Sequence, residues 1–228
     1  MLLKTAVART RSRAGERWCV FAMIKVKKII SGGLEENCYA VYDSESLRAA
    51  IIDPGEDGKK VIFEIEKDKL KPELLINTHG HYDHVLSDDQ IRFEFKIPLA
   101  IHKYEAQMLA GGYGNGSGSI GFTVNVREPE MLLEDNQEVK LSFTTFKVMH
   151  TPGHTKGCIC LLFDGFLITG DTLFAGTIGR TDFDGGSYEE ILNSLSKITK
   201  LNSSLVIYPG HGSNTTLANE IRHNSYLK

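Results

Sequence analysis

A histidine-rich segment in the first half of the chain carries the residue types best suited to chemistry. Four metal-binding side chains fall within six positions, as His79, His81, Asp83 and His84. They follow the short apolar run Leu74–Asn77, which is typical of a buried strand. Imidazole and carboxylate together suit zinc, iron or manganese, and the segment has no thiolate that would select a closed structural zinc site. The spacing predicts a metal site at a strand end, with a solvated His-rich turn as the alternative.

Three further loops each place one metal-binding side chain after an apolar, strand-like run. These side chains are His154, Asp171 and His211, and each has a glycine directly before it. Any one of these loops alone would be an ordinary turn with a hydrogen-bonded side chain. Together with the histidine-rich segment, they are typical of an α/β sheet that gathers ligands where its strands end. The preceding runs are Phe143–Met149, Phe166–Thr169 and Leu205–Tyr208.

Strand-like runs and helical spacings alternate along both halves of the chain, which is typical of an α/β fold. The predicted helices are Lys59–Leu70, His84–Phe95, one that begins after the capping residue Ser187, and Thr215–Arg222. The glycine-rich stretch Gly111–Gly121 is predicted to be a loop. No linker separates the two halves, so we expect one α/β domain in which two sheets pack together with helices outside.

The composition excludes several classes of protein. The 228 residues are 41% hydrophobic and 24% charged, which is ordinary for a globular chain and unlike a collagenous or disordered one. With 26 basic and 29 acidic residues the net charge is −3, so no strong basic field favours nucleic acid. Four cysteines are too few for a disulfide scaffold, and no apolar run reaches the roughly 18 residues of a membrane helix. We expect a cytoplasmic protein with no nucleic-acid or membrane partner.

Residues 1–22 differ from the rest of the chain. The basic residues of this segment outnumber its single acid, Glu16, and are Lys4, Arg9, Arg11, Arg13 and Arg17. Arg-rich, acid-poor segments resemble organellar transit peptides, which would give an organellar location instead. The alternative is a start codon assigned too far upstream, with Met23 as the first residue of the folded chain. Under either interpretation the predicted domain is 23–228.

Together these motifs resemble those of the metallo-β-lactamase superfamily, and within it the glyoxalase II-like (hydroxyacylglutathione hydrolase-like) enzymes. The likeness rests on the histidine-rich segment, TPGHTKG around His154, GDTLFAGTIGRTDF around Asp171 and PGHG around His211. It implies a four-layer αβ/βα sandwich of two mixed sheets with helices outside. Full-length glyoxalase II enzymes carry a further C-terminal segment that binds glutathione. This chain ends shortly after His211, so we expect a short form without that segment.

The resemblance also implies two divalent metal ions, with zinc expected and iron or manganese as alternatives. All seven ligand positions carry the residue type that the family uses. They divide into two sets of three and one shared ligand: His79, His81 and His154 for one ion, Asp83, His84 and His211 for the other, and Asp171 for both.

The reaction implied by the resemblance is hydrolysis of a small-molecule acyl thioester. A hydroxide held between the two ions would attack the acyl carbonyl, since such ions lower the pKa of bound water to about 7. Asp83 would shuttle the proton while also binding metal, so Asp83 and Asp171 are the predicted catalytic residues. Asp53 would orient a metal-binding imidazole, or instead cap its strand through a turn. Arg180 would meet an anionic substrate, or instead pair with a neighbouring aspartate.

A persulfide dioxygenase with a single iron ion is the main alternative function, because that sister group shares similar segments. Its members tend to show PAHDY-like residues where this chain has Pro209-Gly210-His211-Gly212. A non-catalytic scaffold is not expected, since every ligand position is filled. A nuclease would need a basic groove and a β-lactamase a signal peptide, and we find neither feature in the sequence.

Overall fold

The structure, a computed structural model, describes residues 23–111, 114–121 and 123–228, and the predicted extension 1–22 lies outside these ranges. The strands are β1 (Ile24–Ser31), β2 (Glu36–Asp43), β3 (Arg48–Ile52), β4 (Lys71–Ile76), β5 (Leu99–His102), β6 (Met131–Leu133), β7 (Glu138–Lys140), β8 (Thr145–His150), β9 (Ile159–Phe163), β10 (Phe166–Gly170), β11 (Leu173–Phe174), β12 (Thr177–Ile178), β13 (Val206–Pro209) and β14 (Thr215–Thr216). The helices are α1 (Gly58–Lys67), α2 (Tyr82–Val85), α3 (Asp88–Phe95), α4 (Ala106–Gly111), α5 (Tyr188–Ile198) and α6 (Leu217–His223), with 3₁₀ turns at Ser117–Ile120 and Ser225–Leu227.

Most of the strands belong to two six-stranded sheets. The first follows the chain from β1 to β6, with antiparallel pairing as far as β3 and parallel pairing from β3 onwards. The second has the order β14-β13-β10-β9-β8-β7, in which β10 and β13 are the parallel neighbours. Both sheets are therefore mixed, as predicted, and β11 and β12 form a small separate hairpin.

Alternate residues of the sheets face different apolar layers. In β3, Ala49 and Ile51 pack with residues of α1 and α3, whereas Ala50 and Ile52 pack with residues of the second sheet. A third core lies between the second sheet and helices α5 and α6, around Leu167. Because successive side chains of a strand point to opposite faces, such alternation buries both faces of a sheet. The predicted four-layer αβ/βα sandwich is confirmed.

The predicted helix 84–95 is wrong in one respect, because the structure has two helices there, α2 and α3. Gly55 N donates to His84 O at 3.0 Å, and Ser87 N donates to Gly55 O at 2.9 Å. In a continuous helix these groups would bond to residues four positions away in the chain. Their hydrogen bonds go instead to Gly55, in the loop after β3, so the chain turns between the two helices and α2 stays at the sheet edge.

The glycine-rich stretch 111–121 is only partly the loop that its composition predicts. Residues 112 and 113 lie outside the described ranges. The buried Asn115 donates from Nδ2 to Val124 O at 3.0 Å and accepts from Ser117 N at 3.0 Å. Its carbonyl oxygen accepts from Tyr82 N at 2.9 Å. This stretch is therefore attached to the first turn of α2.

The predicted capping of the helix after Ser187 is confirmed. Ser187 caps α5, with its Oγ accepting from Glu190 N at 3.3 Å. Cys158 and Cys160 are free and buried, and Cys160 lies in β9. Within the described ranges, every helix is too short or too polar to span a membrane.

Candidate metal centre

Loops after four strands meet at one edge of the two sheets. β4 leads to the histidine-rich segment and α2, whereas β8, β10 and β13 lead to one predicted ligand each. The structure brings all seven predicted side chains together, in groups whose ligand atoms lie within 4.8 Å of one another. We call two of these groups the three-histidine group (His79, His81 and His154) and the mixed group (Asp83, His84 and His211).

Hydrogen bonds around the three-histidine group fix where its lone pairs point. His154 Nδ1 lies 2.7 Å from Arg180 O, a carbonyl that can only accept, so in the neutral ring the lone pair is on Nε2. Thr78 Oγ1 donates to Asp53 and therefore accepts from His79 Nδ1 at 3.1 Å, which leaves the lone pair of His79 on Nε2. Both Nε2 atoms face His81 Nδ1, at 2.9 Å from His154 and 3.1 Å from His79. Three ring nitrogens thus converge, as they do around a cation.

Burial keeps His79 and His81 in the form that binds metal. It lowers the pKa of His79 well below the ordinary range, and neighbouring histidines lower it further. Burial, together with the neighbouring His154, lowers the pKa of His81 to about 3. A neutral imidazole is the species that coordinates an ion, so deprotonation would cost little here.

The mixed group also brings acceptors together. His211 Nδ1 donates to Leu34 O at 3.1 Å, so the lone pair of the neutral ring lies on Nε2, 3.3 Å from Asp83 Oδ2. His84 Nε2 lies 3.9 Å from the same oxygen. Although burial opposes protonation, the carboxylates of Asp83 and Asp171 raise the pKa of His211. A positive charge is therefore favoured at this point.

Asp171 lies between the two groups. Its Oδ1 is 3.5 Å from His84 Nε2, and its Oδ2 is 3.5 Å from His154 Nε2. Oδ2 also lies 3.8 Å from Nε2 of His211. One carboxylate therefore faces a nitrogen of the three-histidine group and two nitrogens of the mixed group.

The donor set fits divalent metal ions. Within the described ranges, neither His84 Nε2 nor Asp171 Oδ1 has a hydrogen-bond partner, although both atoms are buried. An unsatisfied polar atom costs free energy when it is buried, so native proteins usually give it a partner such as an ion. The space is also narrow, because a Cβ on Gly210 would contact Asp171 Oδ1 and His84 Cε1. Nitrogen and carboxylate ligands without thiolates suit zinc, iron or manganese.

Asp53 lies behind His84, on the far side of its ring from the centre. Its Oδ2 is 3.1 Å from His84 Nδ1 and also accepts from Thr78 Oγ1 at 2.7 Å. Oδ1 accepts from Thr78 N at 2.7 Å. The structure thus places Asp53 where it can orient a metal-binding imidazole, the first of its two sequence-based interpretations.

Glu105 is a further residue next to the centre, and the sequence analysis did not single it out. It is fully buried just after β5, a parallel strand that ends at the same sheet edge. Its carboxylate accepts hydrogen bonds from Gly80 N, Thr155 Oγ1 and Gly157 N. The available sequence signal was an acidic residue soon after a strand end, in Lys103-Tyr104-Glu105.

A cleft of about 990 Å³ opens over the centre. Apolar and aromatic side chains line its walls, including Leu34, Tyr82, Phe174 and Phe183. Arg180 also lines it, as predicted for a substrate-binding residue. However, its Nε and Nη2 donate to Asp182 at 2.7 and 2.6 Å, and its guanidinium lies 3.9 Å from the ring centre of Phe183. The structure therefore shows the pairing with a neighbouring aspartate, and substrate binding by Arg180 stays a prediction.

Two further histidines near the sheet edge lie outside these groups. The rings of His102 and His150 stack with centres 4.3 Å apart. His150 Nε2 lies 2.9 Å from Lys156 O, to which it donates. Neither belongs to a metal-binding group among the described residues.

The fold agrees with comparisons to known proteins. The hydroxyacylglutathione hydrolase GloC of Haemophilus influenzae is 35% identical over 203 residues, which cover 85% of this chain and 93% of the relative. The crystal structure of BLEG-1 B3 metallo-beta-lactamase has a TM-score of 0.86 and 33% identity, covering 90% of this chain and 100% of that one.

Two other solved structures are also similar. TTHA1623 in a di-iron-bound form has a TM-score of 0.78 and 29% identity, covering 89% of this chain and 100% of its own. ETHE1 from Myxococcus xanthus has a TM-score of 0.71 and 25% identity, covering 88% and 83%. Residues 31–211 match the metallo-beta-lactamase superfamily model. The chain therefore belongs to the metallo-beta-lactamase superfamily of metal-dependent hydrolases.

Proposed function

We propose that this protein hydrolyses small acyl thioesters with two divalent metal ions. The observation that carries the proposal is the position of Asp171, whose two oxygens face different ligand groups. The three-histidine group would hold one ion and the mixed group the other, with Asp171 shared. Two ions bound in this way would supply an acidified water and would polarise the acyl carbonyl.

The side chains around the centre would handle the proton. Hydrolysis forms a C–O bond, breaks the acyl C–S bond and transfers a proton from water to the departing sulfur. Asp83 lines the cleft and is 11% exposed at its side chain, so its carboxylate can hold that proton in transit. Leu34 O, which accepts from His211 Nδ1, and Asp53, which lies against His84 Nδ1, would keep these two rings oriented.

The cleft walls would exclude bulk water from the acyl group. Phe174 and Phe183 line the cleft. Apolar walls strengthen electrostatic interactions at the reacting carbonyl, because the local dielectric constant is lower than in water. The relative named hydroxyacylglutathione hydrolase supports a thioester substrate. The di-iron form of TTHA1623 supports iron, in addition to zinc, as a candidate metal.

Metal analysis combined with thiol release tests the proposal. Protein produced with excess zinc or iron should contain two ions per chain and release thiol from a hydroxyacylglutathione and from an acyl thioester of a short neutral thiol. His154→Ala should lose both properties. His223→Ala is the matched control, since His223 is exposed on α6 outside the ligand groups. Two bound ions with no thiol release from either substrate would contradict the proposal.

A persulfide dioxygenase is the second candidate, because the ETHE1 neighbour hints at it. It would use a single iron ion, held by the three-histidine group with or without Asp171 as a further ligand. Oxygen consumption with a glutathione persulfide, together with one iron per chain, would favour this activity over thioester hydrolysis. The BLEG-1 neighbour adds a β-lactam to the panel of test substrates.

A further inference from the structure

Glu105 lies between the two loops that supply the three-histidine group. It follows β5 and is fully buried, at 0% exposure. Its Oε2 accepts from Gly80 N at 2.8 Å, and Gly80 separates His79 from His81. Its Oε1 accepts from Thr155 Oγ1 at 2.9 Å and from Gly157 N. One carboxylate thus bonds to the loop after β4 with one oxygen and to the loop after β8 with the other.

The surrounding atoms leave this carboxylate little freedom. A Cβ on Gly157 would lie 2.6 Å from Glu105 Cγ, closer than real side chains approach. A Cβ on Gly80 would lie 3.2 Å from Glu105 Oε2 and 3.0 Å from Met108 Sδ. The backbone at Gly157 therefore approaches Glu105 more closely than a side chain would allow, and the backbone at Gly80 leaves little room for one. A carboxylate held rigidly in this way fixes the distance between the two loops that it joins.

We propose that Glu105 is a positioning residue that sets the separation of His154 from His79 and His81. The inference rests on the part of the proposed function in which these histidines hold a metal ion. Three donors must lie at fixed distances from such an ion, so an error in the distance between the loops weakens binding. Groups behind metal ligands typically change metal affinity by about 10- to 100-fold when they are replaced.

The mixed group is held by other contacts. Asp53 lies against His84 Nδ1, and Leu34 O accepts from His211 Nδ1. Asp83 and His84 lie on α2, whose first N–H, that of Tyr82, donates to Asn115 O. Among the described residues, the hydrogen-bond donors to the Glu105 carboxylate are Gly80, Thr155 and Gly157. Loss of Glu105 should therefore affect one ion more than the other.

A merely structural role is the competing explanation, since buried N–H groups need acceptors wherever they lie. Glu220 offers a matched control. It is also fully buried, and its carboxylate accepts from Gly176 N at 2.8 Å, Thr215 Oγ1 at 2.7 Å and Asn224 Nδ2 at 3.0 Å. These contacts join α6 to the β11–β12 hairpin. Glu105→Gln and Glu220→Gln make the same chemical change in two comparable networks.

The experiment measures Zn²⁺ affinity by competition with a chelating indicator, in a His211→Ala background that disables the mixed group. Glu105→Gln turns one carboxylate oxygen into an NH₂ donor that faces an N–H or O–H donor. We expect it to weaken Zn²⁺ binding by about 10- to 100-fold. Glu220→Gln should leave the affinity within about twofold while lowering the melting temperature of the metal-free chain.

A gentler variant covers the case in which Glu105→Gln fails to fold. Thr155→Val removes one of the three donors with little change of shape, and should weaken Zn²⁺ binding in the same direction by a smaller factor. Unchanged affinity in the Glu105 or Thr155 variant, with only a lower melting temperature, would overturn the inference. A His211→Ala parent that binds no Zn²⁺ would contradict the proposed function, and the inference with it.

Discussion

Asp171 Oδ1 lies 3.5 Å from His84 Nε2, and within the described ranges neither buried atom has a hydrogen-bond partner. The other oxygen of Asp171 is 3.5 Å from His154 Nε2. The carboxylate follows β10 in the second sheet, whereas His84 lies on α2 beyond the first sheet. Asp171 therefore lies between ligands that come from the two sheets, and we expect it to bind both metal ions.

Asp171→Asn should reduce thioester hydrolysis more than Asp83→Asn, because only Asp171 faces both ligand groups. We expect a loss in kcat/KM larger than the roughly 100-fold typical of groups behind the ligands. Steady-state kinetics and elemental analysis of both variants test this order. The assignment of Asp171 as the shared ligand is wrong if both variants keep two ions and similar rates.

Asp53→Asn should reduce activity through His84, which Asp53 contacts directly, and through His79 by way of Thr78. Asp53 has a φ of 47°, a left-handed conformation that asparagine tolerates well, so the substitution keeps the backbone. It replaces a charged acceptor beside His84 Nδ1 by an amide, which should lower metal affinity or kcat/KM by about 10- to 100-fold. Kinetics and Zn²⁺ titration check this. A loss of thermal stability at unchanged affinity would instead indicate that Asp53 mainly holds Thr78.

The sequence predicts the layers and the seven clustered side chains because both depend on local signals. Strand periodicity gives the two-faced burial of β3, and glycines beside His154 and His211 mark the loops that follow strands. The break between α2 and α3 needs more than local information. It arises from hydrogen bonds of Gly55, which lies in a different loop.

Glu105 shows why part of the site escapes sequence analysis. Its partner Gly80 is 25 residues away along the chain and is brought near by the pairing of β4 with β5. Thr155 is 50 residues away and is brought near only by the packing of the two sheets. An isolated acidic residue after a strand has no distinctive spacing. Arg180 differs from Glu105, because its partner Asp182 is only two residues away and is visible in the sequence. Whether the two side chains pair depends on their conformation, which the sequence does not give.

Gly210→Ala should disrupt the centre while leaving the fold intact. The new Cβ would contact Asp171 Oδ1 and His84 Cε1, so these side chains would have to move apart. Overpacking of this kind typically costs about 1–3 kcal/mol of stability. We expect loss of one or both ions, measured by elemental analysis. Gly33→Ala is the control, because a Cβ there would find its nearest neighbour, Glu56 Oε2, at 3.9 Å. Equal metal content in both variants would contradict the prediction.

Removal of metal by a chelator should lower the melting temperature without unfolding the chain. The three apolar cores contain none of the ligands, so the fold keeps its main source of stability. Each ion at 100 times its dissociation constant contributes about 2.7 kcal/mol, which corresponds to a shift of about 5–10 °C per ion in a chain of this size. Thermal unfolding followed by circular dichroism measures this shift. Collapse of the spectrum at 25 °C on chelation would show that folding itself requires the ions.

Asp182→Asn should improve the use of acidic thioesters relative to neutral ones. Arg180 is the one lysine or arginine among the described residues that line the cleft, and Asp182 already pairs with it. A substrate carboxylate must compete with Asp182, so carrier recognition by charge should be weak, and a preference for glutathione of less than about 100-fold is expected, or 2.7 kcal/mol. The pair is exposed, at 57% and 65% of the two side chains, which limits the gain to about fivefold in KM.

The measurement is kcat/KM for one acyl group on glutathione and on a short neutral thiol, in the parent, Asp182→Asn and Arg180→Ala. Arg180→Ala should abolish the gain when combined with Asp182→Asn. An equal change for both thiols would show that the pair supports the cleft wall and does not select the substrate.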